Sequence, residues 1–584
     1  MARKNFTFVG VTAAATLMLS STAGALSAGS LKDTVALIPD SESTSTVPQQ
    51  EMDAASSRAT LLADNQTDQW SSHLDLGEKA YKQRAFAVAE KELLEAQKLA
   101  EGFTQPDDRL AKTLNDLGLV YDCEQRFADA EAAYLRAIAT REAALSKEAP
   151  TLVVLLDNLA ILYREQKKYE PAQAQYQRAL AIREKSDGAD NIVTAKSINN
   201  LALVLREQKK FAEAEPLLRR ALAIEEKALK PDDANIAVGL NNLAVDLREQ
   251  NKPEEAQPLY ERALAIRQKV FGPESAEAAA SLNNLAAVYI DQGNFDAAEP
   301  LLEQGLKIQQ TLQNNSEGII VASNNLALLY RQEGKYDEAH QLYQNVLDLL
   351  QKDSSAKPER VAKAMENLAV LAREQGKYDQ SEQLSQQAIA MREKAGQTDE
   401  PDFVSSIQNL EQTTRAQGKF NESNQLLDRA MNLQKKHFGD SSPEVATTIN
   451  DEALLAAEQA QQEGADATTK QAQLDKATTL FKQALTIRES SLGSEDPLVA
   501  VTLNDLARVY RLDKQYPQAE AAYKRVLTIR EHAFGPDDAS VAATLRNYAL
   551  TMSEAGNEQE ADKLNARAAA IEAKSVSASG TQPQ

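Results

Sequence analysis

The sequence predicts an all-α fold, a right-handed superhelical solenoid of about twelve antiparallel helix pairs, and three observations carry that prediction. The first is a recurring tetrapeptide. Asn-Asn-Leu-Ala starts at Asn199, Asn241, Asn283 and Asn324, with variants at Asp157 and Glu366 and looser copies at Asn115, Gln408, Asn450, Asn504 and Arg546. The second residues of these copies fall at 116, 158, 200, 242, 284, 325, 367, 409, 451, 505 and 547, so successive intervals are 42 residues, except for one of 41 (325 minus 284) and one of 54 (505 minus 451). A fixed period between about 20 and 50 residues is the mark of a repeat array. The second observation is that each copy holds two amphipathic helical patterns. The third is composition: 43% apolar and only 5% aromatic residues suit close, alanine-rich helix packing. Stacked repeats share one continuous core, so 584 residues need not divide into several globular domains.

Taken in order, the chain opens on Arg3 and Lys4, an apolar run from Phe6 to Leu19, and Ala23-Gly24-Ala25. That three-part layout is expected to be a secretory signal peptide, residues 1–25, cleaved near Ala25 for export to a periplasmic or extracellular space. The alternative is an uncleaved membrane anchor, although the run is short of the ~20 residues a spanning helix needs. Residues 26–68 turn to Ser, Thr, Asp, Gln and Pro without helical period and are expected to be a disordered linker. Residues 69–574 are expected to form the solenoid and 575–584 a disordered tail.

Within the array the sixth repeat is representative. Its first helix (A) is expected from Ala276 to Asp291 with Leu282, Leu285 and Tyr289 on one face. Gly293-Asn294 breaks it, and the second helix (B) starts at Phe295 with a stripe of Ala298, Leu302, Gly305 and Ile308. Phe271-Gly272-Pro273-Glu274-Ser275 shows how units join, glycine ending helix B and Pro-Glu-Ser opening the next helix A. Three departures stand out. Ser381 and Ser385 replace an alanine and an aromatic in repeat eight, and Asn565 takes the aromatic position in the last repeat. Repeat ten carries an insertion near residues 462–473, expected as an exposed loop or short helical extension, since the pattern resumes at Ala477, Phe481 and Ala484.

The alternation Leu159-Ala160-x2-Tyr163 followed by Ala172-x3-Tyr176-x2-Ala179 resembles the tetratricopeptide repeat (TPR). The 42-residue unit and Arg178-Ala-Leu-Ala-Ile-Arg-Glu-Lys185 are similar to its kinesin-light-chain type. The expected export signal and the lack of an N-terminal heptad stretch argue against a motor subunit. The resemblance implies that helix A lines a concave groove, that groove asparagines grip peptide backbone, and that acidic peptide segments are bound there.

Composition and motifs exclude several classes. A net charge of −22, or −24 after cleavage (62 basic minus 86 acidic residues), argues against nucleic acid or an anionic membrane surface as partner, leaving membrane contact to an uncleaved N-terminal segment. Cys123 is the single cysteine, and His73, His340, His437 and His532 lie in different repeats without metal-ligand spacing. No phosphate-binding loop, zinc-protease motif or nucleophile elbow occurs. The expectation is a non-enzyme with no cofactor, no metal and no small-molecule substrate, whose partner is a protein or peptide.

The candidate site follows from a helical wheel at about 100° per residue. With Asn284 at zero, Leu282, Leu285, Ala286 and Tyr289 cluster on the core side and Asn283, Ala287, Ile290 and Asp291 lie opposite. One edge of that opposite arc carries Asn158, Asn200, Asn242, Asn284, Asn325 and Asn367. The other carries Asn199, Asn241, Asn283 and Asn324, with Arg164, Arg206, Arg248, Arg331 and Arg373, and further arginines at 415 and 511. Asparagine can both donate to and accept from an extended backbone, and the arginine fork matches carboxylates. The competing reading is structural: Arg164, Arg206, Arg248 and Arg373 precede the acids Glu165, Glu207, Glu249 and Glu374, so these charges can pair between neighbouring repeats. The function expected is a protein-interaction scaffold holding an extended, acidic peptide segment. The alternative is a spacer or assembly factor of an envelope or secretion complex without a peptide-sized site.

Overall fold

The computed structural model describes residues 54–103, 108–312, 315–462 and 464–579; the expected signal peptide and most of the expected linker lie outside them. The described residues form twenty-four α-helices and no strand. They divide into two compact units, residues 23–273 and residues 274–584. The first holds α1 (Ala54–Lys82), α2 (Phe86–Glu101), α3 (Asp108–Cys123), α4 (Phe127–Ala144), α5 (Leu152–Glu165), α6 (Tyr169–Ser186), α7 (Ile192–Glu207), α8 (Phe211–Ala228), α9 (Ala234–Glu249) and α10 (Pro253–Phe271). The second runs from α11 (Ala276–Asp291) and α12 (Phe295–Thr311) through α13 (Ser316–Gln332), α14 (Tyr336–Lys352), α15 (Pro358–Glu374), α16 (Tyr378–Lys394), α17 (Pro401–Ala416) and α18 (Phe420–Phe438). It ends with α19 (Pro443–Gln459), α20 (Ala467–Leu492), α21 (Pro497–Leu512), α22 (Tyr516–Phe534), α23 (Ala539–Glu554) and α24 (Glu558–Ser579). Odd-numbered helices are the A helices and even-numbered ones the B helices of successive repeats.

Local chemistry explains the boundaries. Asp233, Asp496 and Asp538 cap α9, α21 and α23 by accepting from backbone N–H groups two residues on, and Ser275 and Ser442 cap α11 and α19. Proline occupies the first turn of α15, α17, α19 and α21, where no intrahelical N–H bond is lost. The A-to-B turn needs one left-handed residue. Glycine supplies it at Gly293, Gly334, Gly376, Gly418 and Gly556, while Arg84, Gln125, Lys167, Lys209, Asn251 and Lys514 adopt φ of 58–60° in its place.

Inside each pair a small residue on helix A faces a large one on helix B. Gly118 of α3 lies against the Tyr134 ring of α4, within the space a Cβ would need. Leu159, Ala160, Tyr176 and Ala179 are buried together as the sequence motif requires. Along the B helices an ion pair links several repeats to the next. Arg136 reaches Glu101 and Arg220 reaches Glu184, both at 2.7 Å, and Arg178–Glu142 and Arg262–Glu226 repeat the contact. In the second unit Arg429–Glu393 and Arg567–Glu531, both at 2.7 Å, occupy the same positions.

Two boundaries differ from the expectation, and the insertion in repeat ten takes the helical form of the two expected. The polar stretch assigned to the linker is helical from Ala54. Its end is tied down by Gln66, which donates to the Leu99 carbonyl at 2.9 Å, and by Thr67, which accepts from Arg109 at 2.8 Å. The last helix runs on to Ser579, since no glycine or proline intervenes before Gly580. The insertion in repeat ten becomes an N-terminal extension of α20, capped by Asp466 and seated by the buried Leu474. In repeat eight Ser381 recovers a hydrogen bond to Thr413 at 2.9 Å, whereas the buried Ser385 hydroxyl has no partner.

Candidate peptide-binding face

In the row of Asn199, Asn241, Asn283 and Asn324, the side chains of Asn199 and Asn283 point toward helix B of their own repeat. Asn199 of α7 donates to Glu225 of α8 at 3.0 Å, and the Asn283 oxygen of α11 is buried beside Gly305 of α12. The same two positions, 26 residues apart (225 minus 199), hold Glu366–Arg392 at 3.2 Å in repeat eight and the charge-reversed Arg546–Glu572 at 2.6 Å in repeat twelve. At Asn199, Asn283, Glu366 and Arg546 this position is turned into the A–B contact, which corrects the wheel for these residues. A helix A is flanked by B helices as well as by its A neighbours, so its open arc is narrower than the half-circle opposite the core. Asn324 is half-buried with its oxygen unpartnered, and Asn241 is half-buried and engaged.

The row of Asn158, Asn200, Asn242, Asn284, Asn325 and Asn367 lies along the stack of A helices. Asn158 donates to the Asn115 oxygen of the preceding repeat at 2.8 Å, and Gln408 approaches Asp451 of the following one at 3.5 Å. Asn158, Asn325 and Asn367 are buried; Asn284 is half-buried and engaged. Asn200 and Asn242 are half-buried with no hydrogen bond to another described side chain, leaving their amides the most available of the set.

The arginines are matched by acids of the next repeat. Arg164 makes a bidentate pair with Glu207, both bonds at 2.8 Å, and Arg331 approaches Glu374 at 3.5 Å. Arg415 reaches Glu458 at 2.7 Å and Arg511 reaches Glu554 at 2.6 Å. Arg206 stands 3.8 Å from the fully buried Asp246. Burial lowers the proton affinity of Arg206 and pushes Asp246 up to about 6, so each is a poorly solvated charge compensated by the other. Arg373 donates weakly to the Asn409 carbonyl at 3.5 Å, and Arg248 is half-buried and engaged. The pairing between repeats is the structural alternative drawn from the sequence.

An apolar strip was not singled out from the sequence. Ile161 and Leu203 are half-buried three residues after Asn158 and Asn200, Val245 follows Asn242 at the same step, and Val238 is 48% exposed one turn ahead of Asn242. Its signal was present in the wheel, which put Ala287 in the open arc, the equivalent position of repeat six. In the second unit the same step pairs Ala287 with Leu328 in a small buried contact. Among the described residues no group of His, Cys, Asp and Glu is arranged to hold a metal ion, and no helix is long and apolar enough to cross a membrane.

Comparison with known proteins adds the family. The tetratricopeptide repeat model matches residues 109–185, 150–227, 193–269, 235–311, 318–394, 464–532 and 513–572, and a second tetratricopeptide repeat model matches 404–444. No curated protein matches the sequence. Among solved structures, the chain is similar to the putative kinesin light chain nearly identical TPR-like repeats of Podosopora anserina, at 26% identity and a TM-score of 0.33, over 36% of this chain and 99% of that one. It is also similar to BtubC of P. vanneervenii, at 18% identity and a TM-score of 0.30 over 50% of this chain and 94% of that one. The apo quorum sensor NprR of B. thuringiensis matches at 15% identity and a TM-score of 0.43 over 64% of this chain and 99% of that one. The repeat models span most of the helical region and coincide with the helix pairs, and the chain belongs to the tetratricopeptide repeat family.

Proposed function

We propose that this chain is an exported protein-interaction scaffold that holds an extended peptide segment on the A-helix face of residues 152–249. The observation that carries the reading is the alignment of the half-buried Asn200 and Asn242 amides with the half-buried Ile161 and Leu203 and the exposed Val238 along the A helices α5, α7 and α9. The amides can pair with peptide N–H and C=O groups of any sequence, and the apolar strip can cover alternate side chains. An acidic preference in the segment draws its support from the arginines alone. Because Arg164, Arg206 and Arg331 already face carboxylates, we place recognition in the asparagines and the apolar strip.

A second reading, a spacer or assembly factor without a peptide-sized site, is favoured by the ion pairs that join repeat to repeat on both A and B helices. One experiment separates the two. The full chain is immobilised, exposed to the exported fraction of its source, and the captured chains are identified. With Asn200→Ala, Asn242→Ala and Leu203→Glu combined, capture should fall at least tenfold while the melting profile is unchanged. Capture that is indifferent to this triple change would leave the spacer reading standing. N-terminal sequencing of the exported chain tests cleavage near Ala25.

A further inference from the structure

One position on the B helices ties three helices together. In α4, α20 and α22 it is an arginine that reaches into the helix A of the next repeat. Arg141 donates to the Thr151 carbonyl at 2.8 Å. Arg488 donates to the Leu498 carbonyl at 3.0 Å and the Thr502 hydroxyl at 2.5 Å. Arg530 donates to the Ser540 carbonyl at 2.8 Å and the Thr544 hydroxyl at 2.7 Å. In α20 and α22 the arginine is matched by a hydroxyl residue fourteen positions on (502 minus 488, 544 minus 530), a donor set against a hydroxyl.

Repeat four breaks both halves of that pattern. The arginine is replaced by Glu225 of α8, and the residue fourteen positions on is Gly239 of α9. The carboxyl group fills the space left by the absent side chain, with Oε2 where a Cβ at 239 would stand. Glu225 is 6% exposed; Oε1 accepts from Asn199 of α7 at 3.0 Å, and Oε2 is buried without a partner. The charged groups around it are also acidic: Asp233 in the loop before α9 and Glu226 on its own helix, the latter occupied by Arg262 of α10. No cation among the described residues forms an ion pair with Glu225. A carboxylate in this place has no donor to offer, whereas a protonated carboxyl has one.

We propose that Glu225 is a proton-operated latch at the joint of repeats four and five. Protonated, it stays in the Gly239 recess and clamps α7, α8 and α9 together; ionised, it is driven toward water and the joint loosens. The latch stands independently of the proposed peptide face, although it adjoins the helices that carry Asn200 and Asn242. Burial is the main cause that raises the group to about 7, against about 4.3 for an exposed glutamate. The folded state therefore holds a proton that the unfolded chain has lost. The contribution of Glu225 to stability is complete below the unfolded value and is lost as pH rises through about 7.

The test is backbone hydrogen exchange of the full chain at about pH 5.5 and about pH 8, corrected for the intrinsic pH dependence of exchange and followed over residues 226–240. This window stops short of Asp246, whose own titration acts further along α9. The wild type should lose protection about tenfold or more between the two conditions, one pKa unit of coupling corresponding to a tenfold change. Glu225→Gln, uncharged and a donor at both pH values, should show the same high protection in both. The double change Glu225→Arg with Gly239→Ser, which installs the arginine and hydroxyl found at α20 and α22, should also be flat and serves if the glutamine variant folds poorly. A wild type without pH dependence in this window, or either variant retaining it, would overturn the proposal.

Discussion

The arginine row shows how a side chain's role is decided by what stands one repeat away. Arg164 is 14% exposed and holds both oxygens of Glu207. Reversing it with Arg164→Glu sets two carboxylates against each other in a partly buried place. The expected cost is about 1–3 kcal/mol of stability, read as a lower melting midpoint for the residues 23–273 unit, with no change in peptide capture. An unchanged midpoint together with lost capture would return Arg164 to the binding face. The sequence left this open because an arginine followed by a glutamate is compatible with either role. Only the 43-residue offset (207 minus 164), one repeat plus one residue, reveals which carboxylate it meets. Asn199 and Asn283 were misplaced for a related reason. A wheel built on one helix knows the direction of the core but not how far the neighbouring helices close over its flanks.

At the scale of the element, helices and their caps were legible because glycine, proline and capping residues sit where the backbone demands them. The A-to-B turn was legible only in the repeats that use glycine. Lys209 adopts φ of 60° at the same turn, a conformation that a residue with a Cβ enters at a cost of about 1 kcal/mol. Lys209→Gly should therefore stabilise the first unit by about 0.5–1 kcal/mol, measured as a shift in its denaturant midpoint. The insertion in repeat ten supplies a contrast. Deleting residues 463–470 shortens the connection and the exposed start of α20 but spares Leu474, so melting should move little. Leu474→Ala leaves a cavity at a residue only 2% exposed and should cost about 2–4 kcal/mol. Equal effects from the two changes would mean that the extension itself packs.

For the whole molecule, the repeat period announced the architecture because stacking is the one way such units can bury their apolar faces. Contacts run mainly between consecutive helices, so the chain should not unfold in one step, and a single transition midpoint is not expected to describe both units together. What the period concealed is the division of labour within a repeat. Equivalent positions carry unlike residues, such as Glu366 opposite Arg392 and Arg546 opposite Glu572, and only contact shows that these pairs are the same joint with its charges exchanged.

The ion pairs along the B helices have a consequence for how such a chain can change length. Arg178, Arg220 and Arg262 each meet an acid 36 residues earlier, at Glu142, Glu184 and Glu226. Excising residues 152–193, one 42-residue period, would present Arg220 to Glu142 at that same separation (220 minus 142 minus 42). Each acid would find an arginine again without any compensating substitution. A recombination event that adds or drops a whole repeat in this stretch therefore leaves the outer surface chemically seamless, while a slip of even a few residues breaks the 36-residue offset of the pair that spans it. The ladder acts as a gauge that admits growth and shrinkage of the array only in complete units.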